Sequence, residues 1–444
     1  MGSTIAVDQL QVGMFIHLDG GWLSHPFPLS SFRIASAEQI AVIRGLGLAQ
    51  VRWSPEKSHL PGAQGAGGAT GAAHAAGAAP GDADGAAGTP AAQPPATAAE
   101  AAARRHRELL AAQREAQQQC ERQFGEAATA WHEAWAAATA HPAESRDKTQ
   151  ALAQAMLDKM LTGDDVGIRL VAGASGDRPA AHALNVSVIS LLLARSLGLA
   201  AEELLDLGVG ALMHDLGKIE LPERVRHVEA GASAAELNAY RDHVAKGVAL
   251  GKRIGLAAGA LTVIAQHHEQ ADASGFPQRL AGERITLASR ILALVNRYDN
   301  LCNPSTRVPA LTPHEAVAML FAQGRARYDA TVLNAFIRMM GVYPAGSLVQ
   351  LTDDRYAMVV GVNSTRPLKP RVLVHDAGVP RSEALLLDLE EATDVGIRRS
   401  LTAGKLPAEA LEYLDPRPRV SYYFEPLGTG GPAAQDEATA AAMA

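Results

Sequence analysis

Apolar and polar positions change their period three times along this chain. Near the start the pattern is short and mixed. Met14 to Leu18 reads as a strand, Asp19-Gly20-Gly21 as a turn, and Pro26, Phe27 and Pro28 as a loop. A helix is expected after Ser36, a capping residue type, with Ile40, Ile43 and Leu46 spaced three apart. Ala49 to Trp53 reads as a closing strand. Residues 1–56 are therefore expected to be a small α+β module, and no catalytic constellation falls within it.

Residues 57–101 are mostly Ala, Gly and Pro and cannot bury enough apolar surface to offset their ordering entropy. They read as a flexible linker, with His59 and His74 solvated. From Thr97 the composition turns to Ala, Glu, Gln and Arg, and a long helix is expected to Ala140, weakened at Gly125 at most. In this arm, residues 102–145, Phe124, Ala128, Trp131 and Trp135 fall on one stripe. The preferred reading of the stripe is a packing face; an arm that dimerises or carries a signal is the alternative. A second helix, about Lys148 to Leu161, presents Leu152, Met156 and Met160 on one side.

Residues 146–342 carry mainly helical periods. His182 opens an apolar helix. Another, beginning near Ala200, runs through Leu204 to Met213 and is expected to stop near residue 220, ahead of Pro222. It carries His214, Asp215 and Lys218 at its end. Buried charge of this kind needs compensation, and a metal would neutralise the carboxylate and use the imidazole. A surface or helix-end ion pair is the bland alternative for those three residues taken alone. Further helices carry His243, lead into His267-His268-Glu269, and run from Ile285 to Asp299. Thr312-Pro313 reads as a helix start. Residues 343–427 turn to strand-like runs at Leu348, Tyr356 and Arg371 and are expected to form a small β-rich appendage. Residues 428–444 read as a disordered tail.

Composition narrows the chemistry. With 40 Lys and Arg against 47 Asp and Glu, the net charge of -7 argues against a general nucleic-acid binder. The two cysteines, Cys120 and Cys302, form no disulfide framework and fit a reducing compartment. The first ten residues lack a signal-peptide pattern, and no apolar run approaches membrane-spanning length; Val186 to Leu199 is broken by Arg195. A soluble cytoplasmic protein is expected.

Seven potential ligands remain: His182, His214, Asp215, His243, His267, His268 and Asp299. Each alone reads more readily as a core or cap residue. Together in one helical domain they can share metals, and imidazoles with carboxylates suit iron, manganese or another first-row ion. A carboxylate can bridge a metal pair suited to phosphoester hydrolysis.

The order His, His-Asp-x-Gly-Lys, His, His-His-Glu, Gly-aromatic-Pro, Tyr-Asp resembles the HD-GYP family of metal-dependent phosphohydrolases, over roughly residues 146–342. The first module also resembles a small domain of unknown function often fused ahead of such domains. The resemblance implies a mainly α fold, an HD-type helical bundle, and a phosphodiesterase that opens cyclic di-GMP to pGpG, GMP or both. It implies two divalent metals. One would be held by His182, His214, Asp215 and Asp299; the other by His243, His267 and His268, with Asp215 bridging. Lys218 would contact the scissile phosphate, and a metal-activated hydroxide would be the nucleophile. A diguanylate cyclase or another signalling protein, and a second copy of the chain, are the partners it suggests.

Departures from the family pattern are specific. Gly275-Phe276-Pro277 has Phe for Tyr. Gln270 and Ala273 replace an Arg and a Gly, Asn296 stands for an Asp, and Leu301 to Val308 differs from the usual segment. Arg178 occupies the place of a glutamate that binds a third metal in some members, so two metals are expected. The alternatives are a catalytically weak sensor or docking module, and a phosphohydrolase for another nucleotide.

Overall fold

The computed structural model describes residues 3–18, 31–34, 36–58, 98–161, 166–171, 177–227, 231–306, 308–324, 326–363, 366–392 and 394–426. The expected turn at Asp19, the proline loop at 26–28, nearly all of the linker and the tail lie outside them. The chain divides into two compact units, and the boundary falls between Ala112 and Gln113.

In the first unit, β1 (Ser3–Ala6), β2 (Phe15–His17), β3 (Ser31–Arg33) and β4 (Gln50–Trp53) form an antiparallel sheet in the order β1-β4-β2-β3. Helix α1 (Ala37–Gly45) starts where its cap predicts: the Ser36 side chain accepts from the Gln39 amide. Ile16, Ile34 and Ile43 are fully enclosed. The alternation of the strands and the spacing of the helix bury one apolar side each, and the small module needs nothing more to form a core.

The long helix α2 (Ala98–Ala140) passes through Gly125 without interruption, and α3 (Pro142–Leu161) follows after His141. In the second unit the aromatic stripe packs inward: Phe124 and Trp131 are buried, and Ala128 and Trp135 lie half-buried against the same core. Leu152, Met156 and Met160 of α3 face it too. Around them stand α4 (Arg178–Ser196), α5 (Ala201–Met213), α6 (Ala234–Ile254), α7 (Ala258–Gln266), α8 (Leu287–Cys302), α9 (Pro313–Gln323) and α10 (Ala330–Met340). Starts are set by side chains: Asp177, Ser233, Thr286, Thr312 and Asp329 each accept from an amide of the first turn.

Two sequence expectations change here. The helix carrying the His-Asp pair ends at Met213, and a 3-10 segment, Leu216–Glu220, follows it. His214 and Asp215 therefore sit at the break, not inside a continuous helix to residue 220. The stretch after residue 342 does not close a sheet of its own. Strand β5 (Val166–Leu170), in the stretch read as mainly helical, pairs with β7 (Tyr356–Asn363) and with the last strand, β11 (Tyr422–Pro426). Strands β6 (Leu348–Leu351), β8 (Arg371–Val374), β9 (Leu387–Asp388) and β10 (Ile397–Leu401) complete the sheet, and a short helix, α11 (Ala408–Leu414), precedes β11. Tyr422, Tyr423 and Phe424 enter the same hydrophobic core as the helices. The reason is in β5 itself: four of its five residues are buried, so it needs a partner strand on each edge as well as apolar cover. The fold is mainly α, a helical bundle with a β-rich C-terminal region. Among the described residues no helix is long and apolar enough to cross a membrane.

Candidate metal centre

Four elements meet at one point, two of them by their C-terminal ends. His214 and Asp215 follow α5, His267 and His268 follow α7, His243 lies on α6, and His182 lies in the first turns of α4. Helix ends place these groups for a physical reason. A side chain at a helix C-terminus can reach inward while its backbone leaves the helix, so several helices can aim polar groups at a common centre without burying their own flanks.

Two sets of ligand atoms form. His182, His214 and Asp215 lie within 4.8 Å of one another, as do Asp215, His243, His267 and His268. Asp215 belongs to both. Its carboxylate lies 3.6 Å from the His214 ring on one side and 3.7 Å from the His243 ring on the other.

The hydrogen bonds fix which ring nitrogens are free. Nδ1 of His214, His243 and His267 each lies 2.6–2.8 Å from a carbonyl three residues earlier: Ala211, Tyr240 and Ile264. A carbonyl only accepts, so each Nδ1 carries the proton and each Nε2 presents a lone pair to the centre. Yet His243 Nε2 and His267 Nε2 are 3.3 Å apart. Likewise His182 Nδ1 is 2.6 Å from Asp299 Oδ2, which leaves its Nε2 as a lone pair 3.1 Å from that of His214. His268 Nε2 is buried and has no hydrogen-bond partner among the described residues. Lone pairs facing lone pairs repel unless a cation lies between them.

A proton does not fill that role. Burial and neighbouring positive charge pull His267 and His268 well below the ordinary histidine range, and burial takes His214 down to about 4. The residues thus fit divalent metal: neutral imidazoles plus one shared carboxylate. Burial would raise the Asp215 pKa, but the positive charge around it, the Lys218 ammonium first, holds it well below the carboxylate range. Lys218 Nζ lies 2.7 Å from Asp215 Oδ2 and 5.3 Å from the centre of the Tyr240 ring.

Asp299 stands apart from the other six. It is fully buried, and its second oxygen accepts from the amides of Asn185 and Asn303, each at 2.8 Å. In this arrangement it supports the His182 ring from behind, as carboxylates do for many metal-binding histidines. Sequence reading missed Asn185 and Tyr240. Both were open to the helix period: Asn185 is three residues after His182, and Tyr240 three before His243.

Two cavities flank the centre. One, of about 620 Å³, is lined by His267, His268, Tyr240 and Phe276; Gln270 and Asn296, two of the departures from the family pattern, lie on its wall. Phe276 stacks on His268 with ring centres 4.5 Å apart. Its loop is held by Glu269, buried, whose carboxylate accepts from the Gln278 and Leu280 amides. The other cavity, of about 510 Å³, is lined by His182, His214, Asp215, Arg178 and Trp135. Lys218, Arg226 and His227 border both.

Residues 169–332 match the HD domain family. Within this match, the order of histidines and aspartates resembles the HD-GYP branch of that family. The match is shorter at both ends than the 146–342 that motif order suggests. Residues 3–151 match a domain of unknown function, DUF3391, so the second family extends past the small module and through the arm. The chain is similar to a cyclic di-GMP phosphodiesterase of Pseudomonas aeruginosa, 27% identical over 83% of this chain and 84% of the relative. A cyclic di-GMP phosphodiesterase response regulator of Xanthomonas campestris is 33% identical over 34% of this chain and 41% of its own length. A 3'3'-cGAMP-specific phosphodiesterase of Vibrio cholerae is 33% identical over 27% of this chain, and the match spans 24% of that protein.

Proposed function

We propose that this chain is an HD-GYP-type metal-dependent phosphodiesterase that hydrolyses cyclic di-GMP to pGpG, GMP or both. The observation that carries the reading is the convergence of five imidazoles on one carboxylate, Asp215, with Lys218 beside it between two cavities. Two relatives to which the chain is similar carry that activity in their names.

The residues divide the work. His182, His214 and Asp215 would hold one ion; His243, His267 and His268 would hold the other, with Asp215 between them and Asp299 behind His182. Iron or manganese suits this nitrogen and oxygen donor set. When bound, such a pair lowers the pKa of water and offsets the charge that develops on the phosphate oxygens. Burial would lower the Lys218 pKa, but the Asp215 carboxylate raises it, so the side chain stays cationic and can bind a phosphate. A cyclic dinucleotide carries a base on either side of its phosphates, and the two cavities sharing Lys218 and Arg226 give each base a place. We place the reaction in the cytoplasm, in keeping with two buried free cysteines. A diguanylate cyclase is the partner class we assign to the loop around Phe276, over which Arg241 sits at 5.3 Å.

The similarity to a 3'3'-cGAMP phosphodiesterase favours a second reading, a related cyclic dinucleotide as substrate. The decisive assay uses protein purified without oxygen, loaded with iron(II) or manganese(II), and offered cyclic di-GMP and 3'3'-cGAMP side by side. Turnover of cyclic di-GMP that disappears in Asp215→Ala supports the first reading. Preference for 3'3'-cGAMP supports the second, and bound metal without turnover of either would make the chain a sensor or docking module.

A further inference from the structure

The cavity beside His182 contains an aromatic surface that the metal chemistry does not use. Trp131 is enclosed, 2% exposed, and its indole N–H donates to the Leu212 carbonyl at 2.8 Å, two residues before His214. Trp135, one turn on, is half-buried, stacks on Trp131 with ring centres 4.7 Å apart and planes 30° apart, and lines the cavity. Between them His132 pairs with Asp177, the residue that caps α4. The arm helix is therefore tied to the helix of His182 and to the helix that leads into His214. Trp135 has a fixed place relative to both.

A rigid aromatic face, two guanidinium groups and metal-binding residues in one cavity make a site for a planar ring joined to a phosphate. Arg178 and Arg226 line the same cavity. Arg178 donates to the Pro304 carbonyl, which holds its charge at the cavity wall. Indole faces bind nucleobases by stacking, tolerant of base identity. We propose that Trp135 is the stacking platform for one base of the cyclic dinucleotide whose scissile phosphate lies at Asp215 and Lys218. The inference rests on the phosphodiesterase reading, and it gives the arm a direct part in substrate selection.

The test uses the full chain with metal bound and compares wild type, Trp135→Ala and Trp135→Phe on two substrates: cyclic di-GMP and methyl 4-nitrophenyl phosphate, a diester without a nucleobase. Loss of one stacked base corresponds to roughly a ten- to hundred-fold effect. The expected result is that Trp135→Ala raises KM for cyclic di-GMP by about that factor, changes kcat little, and leaves the base-free diester unaffected. Trp135→Phe should restore most of the KM. An unchanged KM for cyclic di-GMP in Trp135→Ala overturns the platform and leaves the phosphodiesterase reading intact. Equal loss on both substrates also overturns it, because that is the mark of a purely structural tryptophan. Wild type that cleaves the base-free diester and ignores cyclic dinucleotides overturns the function reading and the platform together.

Discussion

Gly217 lies directly against His243: a Cβ added to the glycine would come within 1.9 Å of the His243 carbonyl oxygen and 2.4 Å of the Gly247 amide nitrogen. The glycine is required for space. The 3-10 segment that carries Lys218 is pressed onto α6, and this contact sets the distance between the Asp215 side of the centre and the His243 side. Gly217→Ala must push the two apart. We expect it to lower stability by about 1–3 kcal/mol, the range for overpacking, and to lower kcat more than a surface change of equal thermal effect. Thermal unfolding and turnover measured on the same preparation check this; a variant with wild-type Tm and kcat would mean the segment has slack.

Much of this was legible beforehand, and the reasons are specific. Helix caps such as Ser36 and Thr312 are local signals and appear where the residue types predicted them. The order of histidines pointed to one centre because polar groups on apolar helices need a shared partner. The pairing of Val166–Leu170 with Tyr422–Pro426 was not legible, since strand partners some 250 positions apart leave no periodicity to read. The helix break at Met213 was hidden for another reason. The apolar run continues through Leu216, and what ends the regular helix is the convergence of His214 and Asp215 on groups from three other elements.

The place of Asp299 behind His182 makes a prediction that separates two roles. Asp299→Asn keeps the shape but weakens the hold on His182 Nδ1. A supporting carboxylate should then cost about 10- to 100-fold in metal affinity, with metal still bound at saturation. Asp215→Ala, which removes the group common to both ligand sets, should cost more than about 100-fold and lower metal content outright. Metal analysis after dialysis against a graded chelator reads both. If Asp299→Asn loses metal as completely as Asp215→Ala, Asp299 is a direct ligand, as the family resemblance implies.

Lys159, at the end of α3, supplies a test that does not involve the metal centre. Its side chain is buried, and burial lowers its pKa from 10.5 to about 7, with Glu126 and Asp158 opposing the shift. Below pH 7 the lysine is protonated in both the folded and the unfolded chain, and the folded state bears the cost of an enclosed charge. Between about pH 7 and 10.5 the unfolded chain holds the proton and the folded one has released it, so this group makes stability rise with pH across that window. Lys159→Met keeps the length of the side chain and removes the charge. The variant should exceed wild type by about 1 kcal/mol or more at pH 6, and the gap should narrow steadily as pH rises toward 10. Urea unfolding of both proteins at pH 6, 7.5 and 9 measures it. A constant gap would show that Lys159 titrates outside this range, and a less stable variant at pH 6 would show that its interactions outweigh the cost of burying the charge.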